Sequence, residues 1–180
     1  MNLIIDEGNT SIKVALFKKG IQTFFLSFAK DGFQESFLSN VPLNEVTHCI
    51  IASVVKEVKE RFSFLEQLLP DVLYLTAETP VPFVNKYATP HSLGIDRLAL
   101  VAGAVTRFPN RNALIIDAGT CITFDIVTDR KEYLGGAIAP GIAMRLKAMH
   151  HFTSKLPLVS EQLFDTEQFI GNTTESCMLS

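Results

Sequence analysis

Two short stretches of this chain place an aspartate, a glycine and a threonine at a spacing that suits a bound phosphate. Asp6-Glu7-Gly8-Asn9-Thr10 follows the apolar run Leu3-Ile4-Ile5, and Asp117-Ala118-Gly119-Thr120 follows Leu114-Ile115-Ile116. Glycine permits a tight turn that exposes successive backbone amides, and such amides form a concavity for an anion. The aspartate can hold a cation that neutralises phosphate charge, and the threonine hydroxyl can donate to a phosphate oxygen. Lys13 has the opposite parity to Ile12 and Val14, which lets it face the ligand side. A third group, Gly94-Ile95-Asp96-Arg97, sits at the start of a predicted helix. An acid in a first helical turn complements the helix dipole. The same carboxylate can take the proton from an alcohol that attacks phosphorus, and Arg97 adds charge for an anionic substrate or the transferred group. Neither GxxxxGK[ST] nor GxGxxG occurs, so the two commonest phosphate loops are excluded.

The elements that must position these groups follow from periodicity. Each apolar run reads as a buried strand that stops at its Asp-x-Gly turn, and alternation follows each turn: Ile12, Val14 and Leu16 share one face, as do Ile122, Phe124 and Ile126. The aspartates are 111 residues apart while the alternating faces are 110 apart, so the second turn is one residue shorter. A third strand is expected near Ile21 to Phe28 and again near Glu132 to Ile138. This internal repeat predicts two related halves facing one cleft, an N-terminal half over 1–110 and a partial C-terminal half over 111–180. Between the copies the pattern predicts a short helix over Phe33 to Leu38, a strand over Cys49 to Val55, a helix over Lys56 to Leu69 and a strand over Val72 to Leu75. A proline-marked loop over Ala77 to Ser92 and a helix over Ile95 to Phe108, stopped by Pro109-Asn110, complete this part. Further on, Gly135-Gly136 and Pro140-Gly141 bracket an expected irregular stretch. Ile142 to His151 reads as helix, Thr153 to Pro157 as loop, and Thr173-Thr174 as the cap of another helical pattern. That pattern has barely begun at Ser180, so a C-terminal truncation is expected. Asp125 reads as a solvated residue of its strand, His150 and His151 as surface, and the 14 phenylalanines as core filling.

Composition narrows the function classes. Of the 180 residues, 47% are hydrophobic, enough for a core and against disorder as the main state. Lys and Arg number 16 against 19 Asp and Glu, a net charge of −3, which argues against nucleic-acid binding and a polybasic membrane anchor. No apolar run reaches the roughly 18 residues of a span, and Asp6 and Glu7 break the first run as no signal peptide would allow. The three cysteines are scattered with no CxxC pair, so neither a zinc site nor a disulfide framework is indicated. A reducing, cytoplasmic setting is the default for such a chain.

Paired hairpins in duplicated halves resemble the actin-like ATPase and sugar-kinase superfamily. The order Leu3 to Thr10 with Lys13, Thr89-Pro90-His91-Ser92-Leu93-Gly94-Ile95-Asp96-Arg97, Ile116 to Thr120, and Leu134-Gly135-Gly136-Ala137-Ile138-Ala139-Pro140-Gly141 resembles the type III pantothenate kinases over essentially the whole chain. The Gly-x-Asp-Arg element is the specific part. The resemblance implies an α/β fold of duplicated actin-like, ribonuclease H-like halves around a nucleotide cleft, the second half incomplete. It implies ATP-dependent phosphorylation of the primary hydroxyl of pantothenate to 4'-phosphopantothenate, the first step toward coenzyme A. On that resemblance Asp6, Glu7, Gly8, Asn9, Thr10, Ser11, Ile12 and Lys13 contact ATP, with Thr120 helping. Asp96 is the proton acceptor, and Asp117 holds a monovalent cation, K⁺ or NH₄⁺. Tyr87, Gly94, Ile95, Asp96, Arg97 and Thr173 or Thr174 line the pantothenate site. Mg²⁺ accompanies ATP, and members are homodimers. Glu7 departs from the small or aliphatic residue usual there: a side chain pointing away from phosphate changes little, and one pointing toward it weakens ATP binding. Two other readings remain: a non-catalytic transcriptional accessory protein on the same scaffold, and another actin-like small-molecule kinase.

Overall fold

The computed structural model describes residues 1–30, 35–55, 58–163 and 169–180. The first sheet has the order β3-β2-β1-β4-β5, with β1 Asn2–Glu7, β2 Ser11–Lys18, β3 Ile21–Ala29, β4 His48–Ser53 and β5 Val72–Tyr74. The first three strands form an antiparallel meander, while β4 and β5 run parallel to β1. Lys18 pairs with Ile21 across a two-residue loop, and both loop residues have positive φ, Lys19 at 52° and Gly20 at 80°. That is the turn whose twist matches a hairpin. The apolar parity read from the sequence is the buried one here: Leu3, Ile5, Ile12, Val14 and Leu16 meet Cys49 and Ile51 of β4 and Phe62, Leu65 and Leu69 in a single core.

Residues 56–57, the start of the expected helix over Lys56 to Leu69, lie outside the described residues. The rest is two short helices, α1 (Val58–Phe62) and α2 (Leu65–Leu68), instead of one. Phe62, Leu65 and Leu69 still reach the core, so burial of the apolar positions is kept although the helix is interrupted. Of the expected helix over Phe33 to Leu38, residues 33–34 lie outside the described residues, and Glu35–Asn40 is a 3-10 helix.

The second sheet has the order β6-β9-β8-β7, with β6 Val84–Asn85, β7 Ala113–Ala118, β8 Cys121–Val127 and β9 Glu132–Pro140. The remaining helices are α3 (Ile95–Arg107), α4 (Ile142–Phe152) and α5 (Thr174–Leu179). No helix among the described residues is long and apolar enough to cross a membrane. The chain divides into two compact units, Met1–Ala113 with Val127–Gly135, and Leu114–Ile126 with Gly136–Ser180.

In the first unit α3 buries Leu98, Val101 and Val105 and packs on β4. The expected loop over Ala77 to Ser92 contains β6, whose Val84 and Asn85 pair in parallel with Glu132 and Tyr133 of β9. A two-residue strand between prolines has no periodicity to read. The expected irregular stretch from Gly135 to Pro140 lies within strand β9, with Gly135 alone in it at a positive φ. Gly136 of β9 lies so close to the Phe124 carbonyl of β8 that a Cβ would overlap it. The expectation of a solvated Asp125 is also corrected: Thr123 and Asp125 are the buried side of β8, and Ile126 is exposed. Alternation says which residues share a face, not which face is covered. Not all phenylalanines fill the core: Phe62 and Phe83 are buried, whereas Phe25, Phe108, Phe152 and Phe169 are exposed. His150 and His151 lie on the surface, as expected.

Candidate active site

The β1–β2 hairpin presents opposite faces at Asp6 and Glu7 because successive strand residues alternate. Asp6 sits across from Lys13 in the register, and Lys13 Nζ lies 3.5 Å from Asp6 Oδ2. The two side chains are 41% and 51% exposed. So exposed a pair contributes only about 0–1 kcal/mol, which leaves both charges able to reorganise around a third. The turn closes through the Gly8 N–H, which donates to the Ser11 carbonyl at 2.9 Å. Gly8 is not in the left-handed region, and neither is Gly119. Both turns thus form without the special φ that glycine would permit.

Glu7 points to the other side and is fully buried. Its Oε1 accepts from Arg61 Nη1 of α1 at 2.8 Å, and its Oε2 accepts from Ser53 Oγ at the end of β4 at 2.7 Å. Ser53 Oγ in turn accepts from the Val55 N–H at 3.0 Å, and the Val54 N–H donates to the Glu7 carbonyl at 3.1 Å. A carboxylate without water needs such partners.

The Gly94–Arg97 group forms the first turn of α3. Gly94 is the N-cap, and its carbonyl accepts the first helical bond from the Leu98 N–H at 3.1 Å. Asp96 folds back so that Oδ1 accepts from the Arg97 N–H at 2.8 Å, satisfying one of the amides that a helix start leaves unpaired. A Cβ on Gly94 would overlap Asp96 Oδ1, so the glycine is what lets the carboxylate lie there. Arg97 is 4% exposed and its guanidinium carbon stands 5.7 Å from the Tyr87 ring centre. Tyr87 stacks on Tyr133 (6.1 Å, 12°), and Phe83 meets Tyr133 edge-on (6.0 Å, 75°). The result is a column of Arg97, Tyr87 and Tyr133. Gly135 has φ 99°, and a Cβ there would press on Tyr87 at 3.2 Å. Nothing in the sequence marks Tyr133, and Gly135 is marked there only as part of a glycine pair with no role. Ser53 and Arg61 carry no sequence signal either, because their meeting with Glu7 spans 46 and 54 residues.

In the second unit Asp117 is half-buried at the end of β7, and Gly119 and Thr120 are exposed. The Gly119 N–H donates to the Cys121 carbonyl at 2.9 Å, closing the turn one residue sooner than Gly8 does. The Gly141 N–H donates to the Thr120 carbonyl at 3.1 Å, and a Cβ on Gly141 would overlap the Gly119 and Thr120 carbonyls. Thr173 caps α5: its Oγ1 accepts from the Ser176 N–H at 3.1 Å. That commits its hydroxyl to the cap, while Thr174 is the exposed first residue of the helix. The first unit therefore gathers Asp6 with Lys13, and Tyr87 with Arg97; Asp117, Thr120, Thr173 and Thr174 belong to the second.

Residues 2–180 match the family profile described as Type III pantothenate kinase. A Type III pantothenate kinase from Christiangramia forsetii is 46% identical over 183 aligned positions, covering 100% of this chain and 73% of that protein. One from Flavobacterium psychrophilum is 45% identical and covers 100% of this chain and 74% of its own length. Among solved structures, a candidate Baf family transcriptional activator from Campylobacter jejuni superposes with a TM-score of 0.59 at 23% identity, over 98% of this chain and 72% of that one. That likeness shows a shared fold.

Proposed function

The chain belongs to the type III pantothenate kinase family, and we propose how its residues divide the labour of that reaction. The chemistry is phosphoryl transfer to the primary hydroxyl of pantothenate, with ATP as the donor, in the route to coenzyme A. Such transfers depend on positioning and electrostatic stabilisation more than on covalent chemistry by the protein. Asp96 accepts the hydroxyl proton as the oxygen attacks phosphorus. Arg97, with its guanidinium over the Tyr87 ring, supplies the positive charge that meets the pantothenate carboxylate or the transferred group. Gly94, Ile95 and Tyr87 complete this side of the substrate site, and of the two threonines Thr174 is the candidate, Thr173 being taken by the cap of α5. The hairpin from Asp6 to Lys13 and Thr120 serve the ATP phosphates through exposed amides, hydroxyls and the lysine charge.

Two ions belong to this reading. Among the described residues no group of three or more His, Cys, Asp and Glu side chains is gathered to hold a metal. Mg²⁺ would arrive on the nucleotide phosphates and take one or two carboxylates at most, as Mg²⁺ usually binds. Asp117, half-buried at the end of β7, would supply the carboxylate for K⁺ or NH₄⁺. Organisation as two actin-like halves, a homodimeric assembly and a cytoplasmic location are part of the same reading.

The observation that carries the assignment of roles is Asp96, turned back at the start of α3 next to an Arg97 held by the Tyr87–Tyr133 stack. The test is ADP release with and without pantothenate. Pantothenate-dependent release is expected. Asp96→Asn is expected to lower kcat by about 10²-fold or more, the usual scale of a general base, while ATP affinity stays the same. Normal turnover by that variant ends the proton-acceptor role.

A further inference from the structure

Glu7 stands one residue before the glycine that closes the phosphate hairpin, yet its carboxylate is fully buried and faces away from the turn. Three tethers converge on it. Arg61 of α1 donates to Oε1, Ser53 of β4 donates to Oε2, and the Val54 N–H donates to the Glu7 main-chain carbonyl. Ser53 also accepts from the Val55 N–H, so the segment leaving β4 is gathered into the same network. The next peptide along from Glu7 carries the Gly8 N–H, which makes the turn bond to Ser11. Any shift of the Glu7 backbone therefore moves the turn amides directly. The aligned position in the second hairpin is Ala118, which has no side chain able to make such a tie.

We propose that Glu7, through Arg61 and Ser53, is a positioning residue that fixes the Gly8–Ser11 turn for the nucleotide phosphates. This rests on the reading of that hairpin as the ATP site. Oriented amides stabilise phosphate only when held in place before the ligand arrives, and an ion pair with a second hydrogen-bonded partner on another element supplies such rigidity. The role is distinct from contact with ATP, because the Glu7 carboxylate is already committed to Arg61 and Ser53.

The experiment measures ATP affinity by calorimetric titration, and the KM values for ATP and pantothenate by ADP release, in the full chain. Glu7→Leu removes both side-chain tethers at similar volume. It is expected to weaken ATP binding about tenfold, equivalent to about 1.4 kcal/mol, with the KM for pantothenate unchanged. Glu7→Gln still accepts from Arg61 through its one amide oxygen and can meet Ser53 with the bond reversed, its Nε2 donating to Ser53 Oγ; it is expected to hold ATP affinity to within about twofold to threefold of the parent. If Glu7→Leu does not fold, Glu7→Leu/Arg61→Met replaces the ion pair by an apolar pair, a change that buried pairs often tolerate, and shows the same selective loss. An ATP affinity unchanged in the folded variant overturns the proposal, and so does a parallel rise in both KM values. Should the parent chain bind ATP but leave pantothenate untouched, the kinase reading fails while the titration still decides the role of Glu7. A parent chain that binds no ATP overturns both.

Discussion

The two Asp-x-Gly hairpins carry nearly the same pattern and bury opposite faces of it. In β1 and β2 the apolar parity is inside: Leu3, Ile5, Ile12 and Val14 are each 0% exposed. At the aligned positions of the second hairpin, Leu114 and Ile116 are 61% and 58% exposed, and Thr123, Asp125 and Val127 are the buried residues of β8. The loops are also secured differently. The first is held by side chains, through Glu7, Ser53 and Arg61, in addition to main-chain bonds from the Val54 N–H to Glu7 and the Lys30 N–H to Thr10. Main chain anchors the second, through the Gly141 N–H on Thr120 and the close approach of Gly141 to Gly119. A shared motif thus constrains the turn without dictating what holds it, and burial is decided by the helices that cover a sheet. The first sheet has α1, α2 and their flanks over it, and among the described residues of the second unit the only buried apolar side chains are Leu146 and Val159.

Three measurements sharpen or break that contrast. The largest effect is expected at Gly141. Gly141→Ala forces a Cβ into the carbonyls of Gly119 and Thr120, where backbone has to move, and overpacking of this kind costs about 1–3 kcal/mol. Gly8→Ala, in the first turn itself, meets only the Ser11 carbonyl at 3.4 Å, an ordinary contact, and is expected to cost less than about 1 kcal/mol, as a small, unstrained change does. Denaturant unfolding of both variants checks this, and equal losses would mean that the two turns are held alike. An intermediate effect is expected from the counter-ion. Lys13 stands opposite Asp6, whereas the aligned residue in the second hairpin is Thr123, so Asp117 has no lysine at the matching place. Replacing K⁺ by Na⁺ should slow turnover several-fold, and equal rates in the two salts remove the cation from Asp117. The mildest probe leaves the sequence intact. Burial pushes the Cys49 thiol up to about 12, with Asp71 adding to the shift. At pH 8 its thiolate fraction is therefore about 10⁻⁴, and thiolate is the reactive form. Iodoacetamide is expected to label exposed Cys177 first, half-buried Cys121 at the second turn next, and Cys49, the partner of Leu3, only on unfolding. Labelling of Cys49 as fast as Cys121 would contradict the tight packing of β1.

Much of this was legible in the sequence, for identifiable reasons. The hairpins, the one-residue difference between their turns and α3 follow from local signals: alternation, an Asp-x-Gly stop, and a proline past the helix end. The fate of Asp125 was not legible, because period-two alternation is blind to which face a neighbouring element covers. The break between α1 and α2 escaped because the apolar spacing from Val58 to Leu69 is preserved across it. The supports of the candidate site escaped for another reason: Arg61, Ser53 and Tyr133 act through partners far away in the sequence, and only the folded chain brings them together. Gly135 was visible as a residue but not as a contact, since its φ and its place against Tyr87 are properties of the packed strand.

Asp6 and Glu7 are neighbours of like charge with opposite destinations, and this polices the pairing of β1 with β2. A slip by one position would carry Asp6 into the apolar interior, strip Arg61 of its counterpart and turn the Leu3–Ile5 side toward water. Two adjacent acids thereby act as a proofreading mark for strand alignment, penalising the misthreaded hairpin twice over before any ligand is present.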